Sequence, residues 1–253
     1  MSDYRIAVAG ATGRVGRHIV EVAQERGHEV VPMARSLGVD VITGDGLDEA
    51  VQGIDVIIDA ATGPSAEQAE ATSFFTTAAR NLQAAGERAG VRRMVVVSII
   101  GADRFSEGYG AATYAHEQAA AAGPIPTRVV RAAQFHEFVP QLMEWGTQGD
   151  SAYVQDMWTQ AVAARTVAEA LVDAATDESR YSPPLVEVAG PREESMVDLA
   201  QRYAARHQPG LKIVAVATPE GPDRKIYDEG GLLPGPDARL GGPTFEEWLD
   251  STA

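Results

Sequence analysis

Three glycines near the start of the chain have the spacing that could hold a phosphate group. They lie in the stretch Ala9-Gly10-Ala11-Thr12-Gly13-Arg14-Val15-Gly16, which follows an apolar run and opens a helical pattern. In such a turn the first glycine permits the tight bend, the second lets a pyrophosphate approach the backbone, and the third allows close packing of helix on strand. Free N–H groups at the helix start would face the anion. A glycine-rich turn without a ligand is the alternative, but the flanking strand and helix favour a dinucleotide site. The predicted cofactor-binding residues of this turn are Gly10, Thr12, Gly13, Arg14, Val15 and Gly16.

The end of the second predicted strand bears on which dinucleotide binds. An NAD site usually has an acidic residue there, about 20 positions after the glycines, to hold the ribose 2′-hydroxyl. The sequence instead reads Met33-Ala34-Arg35-Ser36. A guanidinium and a hydroxyl suit a 2′-phosphate. We therefore predict NADP(H), bound by Arg35 and Ser36, with a solvated surface charge as the alternative for Arg35.

Two histidines could supply acid/base chemistry, because an imidazole changes its charge near neutral pH. His136 follows the sixth predicted strand, whereas His116 lies in an alanine-rich helical stretch. Histidines in such helices are more often packed or surface residues. The candidate acid/base residue is therefore His136.

The sequence offers no pattern of metal ligands. There is no cysteine, and the five histidines lack a metal-binding spacing; they are His18, His28, His116, His136 and His207. We predict no bound metal.

Alternating strands and helices must position these residues. Short β-branched runs alternate with alanine- and glutamate-rich stretches of helical period, which is typical of a parallel sheet covered by helices on both faces. We predict strands at Arg5 to Ala9, Glu29 to Ala34, Val39 to Thr43, Asp55 to Ala60, Met94 to Ile99, Thr127 to Arg131 and Leu185 to Val188. We predict helices at Val15 to Arg26, Ala66 to Ala89, Ala111 to Ala121 and Ala161 to Ala175. The predicted class is α/β, a Rossmann-type doubly wound parallel sheet.

The pattern changes after Gly190. A helical stretch, Met196 to Arg206, is followed by a strand near Ile213 to Val216 and a glycine- and proline-rich run from Pro219 to Pro243. We predict a dinucleotide-binding domain over residues 1–190 and a small C-terminal substrate lobe over residues 191–253. Residues 136–158 are expected to contribute to the pocket of that lobe.

Composition excludes some classes of function. The chain has 253 residues, 45% of them hydrophobic, which is enough for one good core. Its net charge of −15 argues against a protein that grips nucleic acid through its phosphates. No apolar run reaches the length of a membrane span. We expect a soluble cytoplasmic protein.

The glycine motif also carries a resemblance to a known family. The spacing within Gly-Ala-Thr-Gly resembles the extended and atypical short-chain dehydrogenase/reductases, and their NmrA-like branch most of all. Softer similarities run through Phe74 to Asn81, Val95 to Ser98, Arg131 to Phe138 and Gly231 to Pro236. The resemblance implies further cofactor contacts at the carboxyl ends of the strands. These are Asp45, Gly46, Ala60, Ala61, Thr62, Ser98, Ile99, Ala133, Gln134 and Phe135.

The resemblance also implies a catalytic tyrosine, but the chain departs from the family pattern there. Carbonyl-reducing members use a Tyr as proton donor, with a Lys four residues later to lower its pKa. Here Tyr109 is followed at that spacing by Thr113, which carries no charge. Tyr109 therefore stands either as a catalytic residue or as a loop tyrosine that stacks or hydrogen-bonds without proton transfer. Ser98 could bind a substrate oxygen, as its counterpart does in the family, or bond only to the backbone.

These observations predict an NADPH-dependent oxidoreductase that acts on a small hydrophobic acceptor, such as a quinone, an enone or an activated carbonyl compound. We expect the substrate between the nicotinamide and the C-terminal lobe, walled by Phe138 to Trp158 and Ile226 to Pro236. A catalytically silent NADP(H)-sensing regulatory protein is the alternative, and an isomerase or epimerase ranks lowest. The oligomeric state stays open.

Overall fold

A seven-stranded parallel sheet forms the centre of the protein. The computed structural model describes residues 4–179, 184–218 and 220–252. Its strands are β1 (Arg5–Ala9), β2 (Glu29–Met33), β3 (Val56–Asp59), β4 (Arg93–Ile99), β5 (Thr127–Ala132), β6 (Thr147–Gln148), β7 (Ser151–Gln155), β8 (Trp158–Thr159), β9 (Leu185–Ala189), β10 (Glu194–Ser195), β11 (Lys212–Val216) and β12 (Arg239–Leu240). The central sheet has the order β12-β9-β5-β4-β3-β1-β2.

Helices cover both faces of this sheet. They are α1 (Gly16–Glu25), α2 (Leu47–Ala50), α3 (Gln68–Ala89), α4 (Gly108–Ala121), α5 (Phe138–Gly146), α6 (Ala164–Thr176), α7 (Met196–His207), α8 (Arg224–Asp228) and α9 (Phe245–Ser251). On one face, Ile6 and Val8 of β1 pack in a cluster with residues of α1 and α6. On the other, Ala7 packs in a cluster with residues of α3 and α4, because successive strand side chains point to opposite faces. The predicted α/β class and doubly wound sheet are confirmed.

One predicted strand is wrong. Residues 39–43 form a turn, because Asp40 competes with any strand ladder for their backbone groups. Its carboxylate accepts hydrogen bonds from the N–H groups of Ile42 at 2.7 Å and Thr43 at 3.3 Å. Asn81 of α3 donates to the carbonyl oxygens of Val41 and Ile42, both at 2.9 Å. As a result β2 forms one edge of the central sheet. The seventh strand of the sheet is the short β12, which forms the opposite edge.

A second core lies beside the carboxyl ends of the strands. Strands β11, β7 and β6 form a three-stranded sheet, and buried side chains from α5, α7 and α9 pack with it, among them Met143, Leu199 and Phe245. The sequence did not predict α5 or β7. The domain boundary at residue 190 stays a prediction, and β12 returns from beyond it to pair with β9.

No helix in the described ranges has both the length and the apolar character needed to cross a membrane.

Candidate functional site

The glycine turn forms a cradle of bare backbone at the carboxyl end of β1. Gly10 has φ +72°, and a methyl group on it would lie 2.6 Å from the carbonyl oxygen of Ala60. A methyl group on Gly16 would overlap the carbonyl oxygen of Gly10, and one on Gly13 would lie 3.1 Å from it. Glycine at positions 10 and 16 therefore allows three backbone segments to meet, as a pyrophosphate site requires.

Arg14 links this turn to the second core. Its Nη2 donates a hydrogen bond to Oε1 of Gln141 on α5, at 2.7 Å. Thr12 on the same turn is exposed, and Val15 is buried beneath it. Of the predicted cofactor residues in this turn, Thr12 and Gly13 are exposed, Gly10 and Arg14 are partly exposed, and Val15 and Gly16 are buried.

Arg35 and Ser36 follow β2 in a short 3₁₀ turn, and both are exposed. Register pairing of Ala9 with Met33 brings the end of β2 beside the glycine turn. Within the described part of the chain, the Arg35 guanidinium has no ion-pair or hydrogen-bond partner. Its charge is therefore available to an anion.

Asp45 and Gly46 belong to the loop that replaces the predicted third strand. The backbone N–H of Asp40 donates to the carbonyl oxygen of Asp45 at 2.9 Å. A methyl group on Gly46 would overlap the carbonyl oxygen of Gly38, so the loop doubles back on itself there. Asp45 and Gly46 are both exposed at the β2 side of the cleft.

A buried acid–base pair supports the turn after β3. Asp59 is fully buried; one carboxylate oxygen accepts the N–H of Ala61 at 3.0 Å and the other lies 2.9 Å from Nε2 of His116. The His116 ring stacks on Phe75, with ring centroids 5.0 Å apart. Thr62 beyond the turn is exposed. The pair thus fixes the segment from Ala60 to Thr62, which faces the glycine turn. The sequence did not predict this pairing of Asp59 with His116.

Ser98 faces a buried ionic network. Its hydroxyl donates to Glu117 of α4, and Glu117 accepts two further hydrogen bonds from Arg131, both at 2.8 Å. Arg131 also donates to Asp103 at 2.6 Å. Burial alone would lower the pKa of Arg131, but its bonds to Glu117 and Asp103 outweigh burial and raise it. The Ser98 side chain is 3% exposed, and its single hydroxyl hydrogen is donated to Glu117.

Tyr109 lines a pocket, and its surroundings disfavour loss of the phenol proton. It is 37% exposed and packs edge-on against Phe75. Burial raises the pKa of Tyr109 from its ordinary value of 10.0. Thr113, at the position where family members have Lys, is buried and donates its hydroxyl to the Tyr109 carbonyl oxygen at 2.9 Å. The phenol is therefore a poor acid at neutral pH.

His136 does not face the pocket. It is 0% exposed, its Nε2 lies 3.2 Å from the carbonyl oxygen of Pro243, and its ring packs against Phe245 and Trp248 of α9. Burial lowers the pKa of His136 below 6.5, against a smaller opposing effect of the Pro243 hydrogen bond. His136, predicted as a catalytic residue, instead packs against side chains of the second core.

The remaining predicted contacts lie at the ends of β4 and β5. Ala133 is buried, and its N–H donates to Val188. Phe135 packs against the cluster between the sheet and α6. Gln134 accepts a hydrogen bond from the Thr159 hydroxyl through Oε1, which leaves its amide nitrogen for a ligand.

A cavity of about 400 Å³ opens beside these strand ends, within the usual size range of small-molecule sites. Ile99, Tyr109 and Gln134 line it on the sheet side. The two segments predicted as walls, Phe138 to Trp158 and Ile226 to Pro236, both line the cavity, through Phe138, Leu142, Gln155, Met157, Tyr227 and Leu232. Residues outside those segments complete the lining: Phe105, Glu107, Thr218, Glu220, Asp223 and Arg224. Trp145, Tyr153 and Trp158 of the first segment do not line the cavity and are 62%, 41% and 50% exposed.

Asp223 joins the far wall of this pocket to the two residues that precede α4. Its carboxylate accepts hydrogen bonds from the N–H and hydroxyl of Ser106 and from the N–H of Glu107, at 2.7 to 3.0 Å. Burial alone would raise the pKa of Asp223, but these bonds outweigh burial and lower it from 3.8. The sequence contains no signal for this contact, which joins residues 117 positions apart.

The residues present fit a dinucleotide. The glycine cradle admits a pyrophosphate, Arg35 offers a cation at the β2 side, and the pocket adjoins the ends of β4 and β5. The structure brings Tyr109, Ile99 and Gln134 together at that pocket, and it leaves Ser98 and His136 outside it. In the described residues, no three His, Asp or Glu side chains meet as metal ligands.

Comparison with known proteins agrees with this fit. Residues 10–178 match the sequence model of a family described as NAD(P)H-binding. The photosystem II assembly factor Ycf39 of Synechocystis sp. is 31% identical over 115 residues, which are 40% of this chain and 35% of that protein. The match thus spans about a third of the length of that relative.

Solved structures share the fold over nearly the whole chain. A short-chain dehydrogenase/reductase superfamily protein from Agrobacterium tumefaciens with bound NAD has a TM-score of 0.69 at 16% identity, covering 98% of this chain and 95% of that one. MoeE5 in complex with UDP-glucose and NAD has a TM-score of 0.73 at 17% identity, covering 99% of both chains. A dTDP-4-dehydrorhamnose reductase from Bacillus anthracis in complex with NADP has a TM-score of 0.67 at 18% identity, covering 98% of both chains.

Proposed function

We propose that this chain, which belongs to a family described as NAD(P)H-binding, is an atypical, NmrA-like short-chain dehydrogenase/reductase and an NADPH-dependent oxidoreductase with a small hydrophobic acceptor. The observation that carries the proposal is the apolar pocket that adjoins the ends of β4 and β5. Open α/β sheets bind their ligands outside the carboxyl ends of the strands. Residues 1–190 would hold the cofactor, and the second core would close over the acceptor.

Arg35 supports the choice of NADPH over NADH. It is exposed and unpaired within the described residues, and the end of β2 offers no carboxylate for a ribose 2′-hydroxyl. A guanidinium binds a phosphate through charge-assisted hydrogen bonds. Arg14 is a second cation on the glycine turn, and Ser36 adds a hydroxyl beside Arg35.

The acceptor is proposed to be a quinone, an enone or an activated carbonyl compound, because such molecules need little help from an acid. When bound, NADPH supplies a hydride from its nicotinamide ring. A quinone that gains this hydride takes one proton from water and leaves as the hydroquinone, with NADP⁺ as the other product. The raised pKa of Tyr109 and the absence of a lysine at position 113 therefore cost little for this class of acceptor.

The chain's own residues would bind and orient the acceptor. Phe105, Phe138 and Met157 line the pocket and would exclude water from an acceptor bound against them. Gln134, whose Oε1 is held by Thr159, would donate its amide hydrogen to a carbonyl oxygen of the acceptor. Tyr109 would donate a hydrogen bond without giving up its proton.

A titration followed by an assay tests this function. NADPH and NADH are titrated against the protein by fluorescence, and a panel of quinones is then added to follow NADPH oxidation at 340 nm. Tight NADPH binding with turnover is expected, and Tyr109→Phe should retain at least about a third of kcat because no proton passes through the phenol. A loss of activity of about a hundredfold in Tyr109→Phe would instead make the tyrosine a true acid.

The broken Tyr–Lys pair also favours a second candidate, a regulatory protein that senses NADP(H) without turnover. Thr113 is buried and hydrogen-bonded to its own helix, so the position that holds the family's lysine supplies no charge to Tyr109. Tight NADPH binding with no oxidation across the quinone panel would select this candidate. Failure to bind either dinucleotide would reject both.

A further inference from the structure

The acceptor pocket has an apolar interior and a charged mouth. Ile99, Phe138, Leu142, Met157 and Leu232 form the inner wall. The charged residues that line it are Glu107, Glu220, Asp223 and Arg224, three acids and one base. A neutral ring system would fill the interior, and charged substituents on that ring would lie near the charged residues at the mouth.

Two of these acids and the one base already have partners. Arg224 binds Asp228 through Nε at 2.9 Å and binds Glu220 through Nη1. Asp223 is satisfied by the N–H and hydroxyl groups of residues 106 and 107. Lys225, the next residue after Arg224, does not line the pocket.

Glu107 is the exception. Within the described ranges its carboxylate has no ion-pair or hydrogen-bond partner, and it is exposed. Its Oε1 lies against the backbone of Gly221, where an added methyl group would be 3.1 Å away. The carboxylate therefore stands at the pocket mouth, between the start of α4 and the segment before α8, with Tyr109 two residues further along the chain.

On the basis of the proposed function, we propose that Glu107 is a specificity-determining residue that selects acceptors carrying a basic nitrogen and rejects acidic ones. A carboxylate attracts an ammonium group and repels a carboxylate, sulfonate or phosphate at the same distance. Because Glu107 is exposed, salt screens both effects, and they are largest at low ionic strength. The two phosphates of a nucleotide sugar would meet this same unpaired charge, which separates this pocket from that substrate class.

Three matched naphthoquinones test the proposal. They share the 1,4-naphthoquinone ring and carry a trimethylammonium-methyl, a methyl or a sulfonate group. We expect kcat/KM to fall in that order, and Glu107→Gln should reduce the ratio of cationic to anionic rates by about tenfold at low ionic strength. The methyl compound should change by less than about twofold.

Glu229→Gln is the matched control, because Glu229 is exposed on the same lobe and does not line the pocket. It removes the same unit of charge and should leave the ratio unchanged. An equal change in both variants would show a general effect of net charge and overturn the role of Glu107. An unchanged ratio in Glu107→Gln would do the same.

Ligands that cannot be reduced keep this test separate from the proposed function. Binding of naphthalene-1-methylamine and naphthalene-1-carboxylate is measured by calorimetry on the wild type and Glu107→Gln. Preference for the amine that disappears in Glu107→Gln supports the charge selection even if no quinone turns over. Preference for the carboxylate in the wild type would overturn it even if quinones are reduced.

Discussion

The two halves of the site are built in different ways. The cofactor half depends on a seven-residue turn in which glycine backbones touch, so its geometry is encoded within one short stretch, Gly10 to Gly16. The acceptor half is assembled from side chains of three distant segments around residues 99–110, 134–157 and 218–232. Short-range backbone rules define the first half, and long-range packing defines the second. Changes in the first half should therefore affect cofactor binding, and changes in the second should affect the acceptor.

The largest expected effect is that of Gly16→Ala. The added methyl group would overlap the Gly10 carbonyl oxygen, and neither backbone segment can move without opening the turn. We expect destabilisation of about 3 kcal/mol and loss of NADPH binding, measured by thermal unfolding and fluorescence titration.

Gly241→Ala is its control, because a methyl group there meets nothing within 4 Å. A Gly16→Ala variant that binds NADPH normally would contradict the backbone cradle.

Arg35→Ala should come next. Removal of the charge that would face the 2′-phosphate should weaken NADPH binding about tenfold or more, since hydrogen bonds to charged groups contribute about 1.5–3 kcal/mol. NADH affinity should not change, and acceptor KM at saturating NADPH should stay the same. Lys225→Ala removes an exposed cation from the other half and should leave both dinucleotides unaffected. Equal losses for NADPH and NADH in Arg35→Ala would remove the basis for choosing NADPH.

Asp223→Asn tests the acceptor half alone. The amide lacks the charge that holds the N–H groups of residues 106 and 107, so we expect acceptor KM to rise about fivefold while the NADPH dissociation constant stays within about twofold. A rise in the NADPH constant instead would mean that the two halves are not independent.

The pH dependence of this variant follows from the lowered pKa of Asp223. The carboxylate contributes stability above its ordinary pKa of 3.8, and that contribution is lost as pH falls through the lower folded-state value. The difference in Tm between wild type and Asp223→Asn should therefore shrink between pH 6 and pH 3. A constant difference would argue against an ionised Asp223 in the folded protein.

The smallest effect is expected for His136. Its pKa is lowered in the folded state, so the unfolded chain takes up a proton below pH 6.5 that the folded chain refuses. Stability should fall as pH drops below 6.5 in the wild type and fall less in His136→Gln, as measured by urea unfolding. The exposed His207→Gln serves as control. Turnover at pH 7.5 should survive in His136→Gln, and its abolition in a folded variant would return His136 to catalysis.

The sequence predicts six of the seven strands of the central sheet and its main helices because each of these has a local signal. The glycine turn, the β-branched strand runs and the stretches of helical period all act through near neighbours. The strand at 39–43 fails because a single Asp40 side chain outcompetes the β-branched residues around it. Pro32 was an available warning, since a proline within a strand marks a sheet edge.

The chemistry of the site was harder to predict for a related reason. Sequence position brought Ser98 and His136 to the right strand ends, but their partners, Glu117 and Pro243, decide which way each side chain points. Asp223 and Glu107 meet across more than a hundred residues. No spacing rule reaches that far, so those contacts required the folded structure.

The loss of the third strand has a consequence for how molecules of this protein meet one another. Strand β2 ends the sheet, and an open edge can pair with the edge of another molecule. Pro32 has no N–H to offer, and Glu29 adds a charge on the same strand. This edge is therefore protected against sheet-to-sheet aggregation by its own composition, in the place where a neighbouring strand would otherwise have covered it.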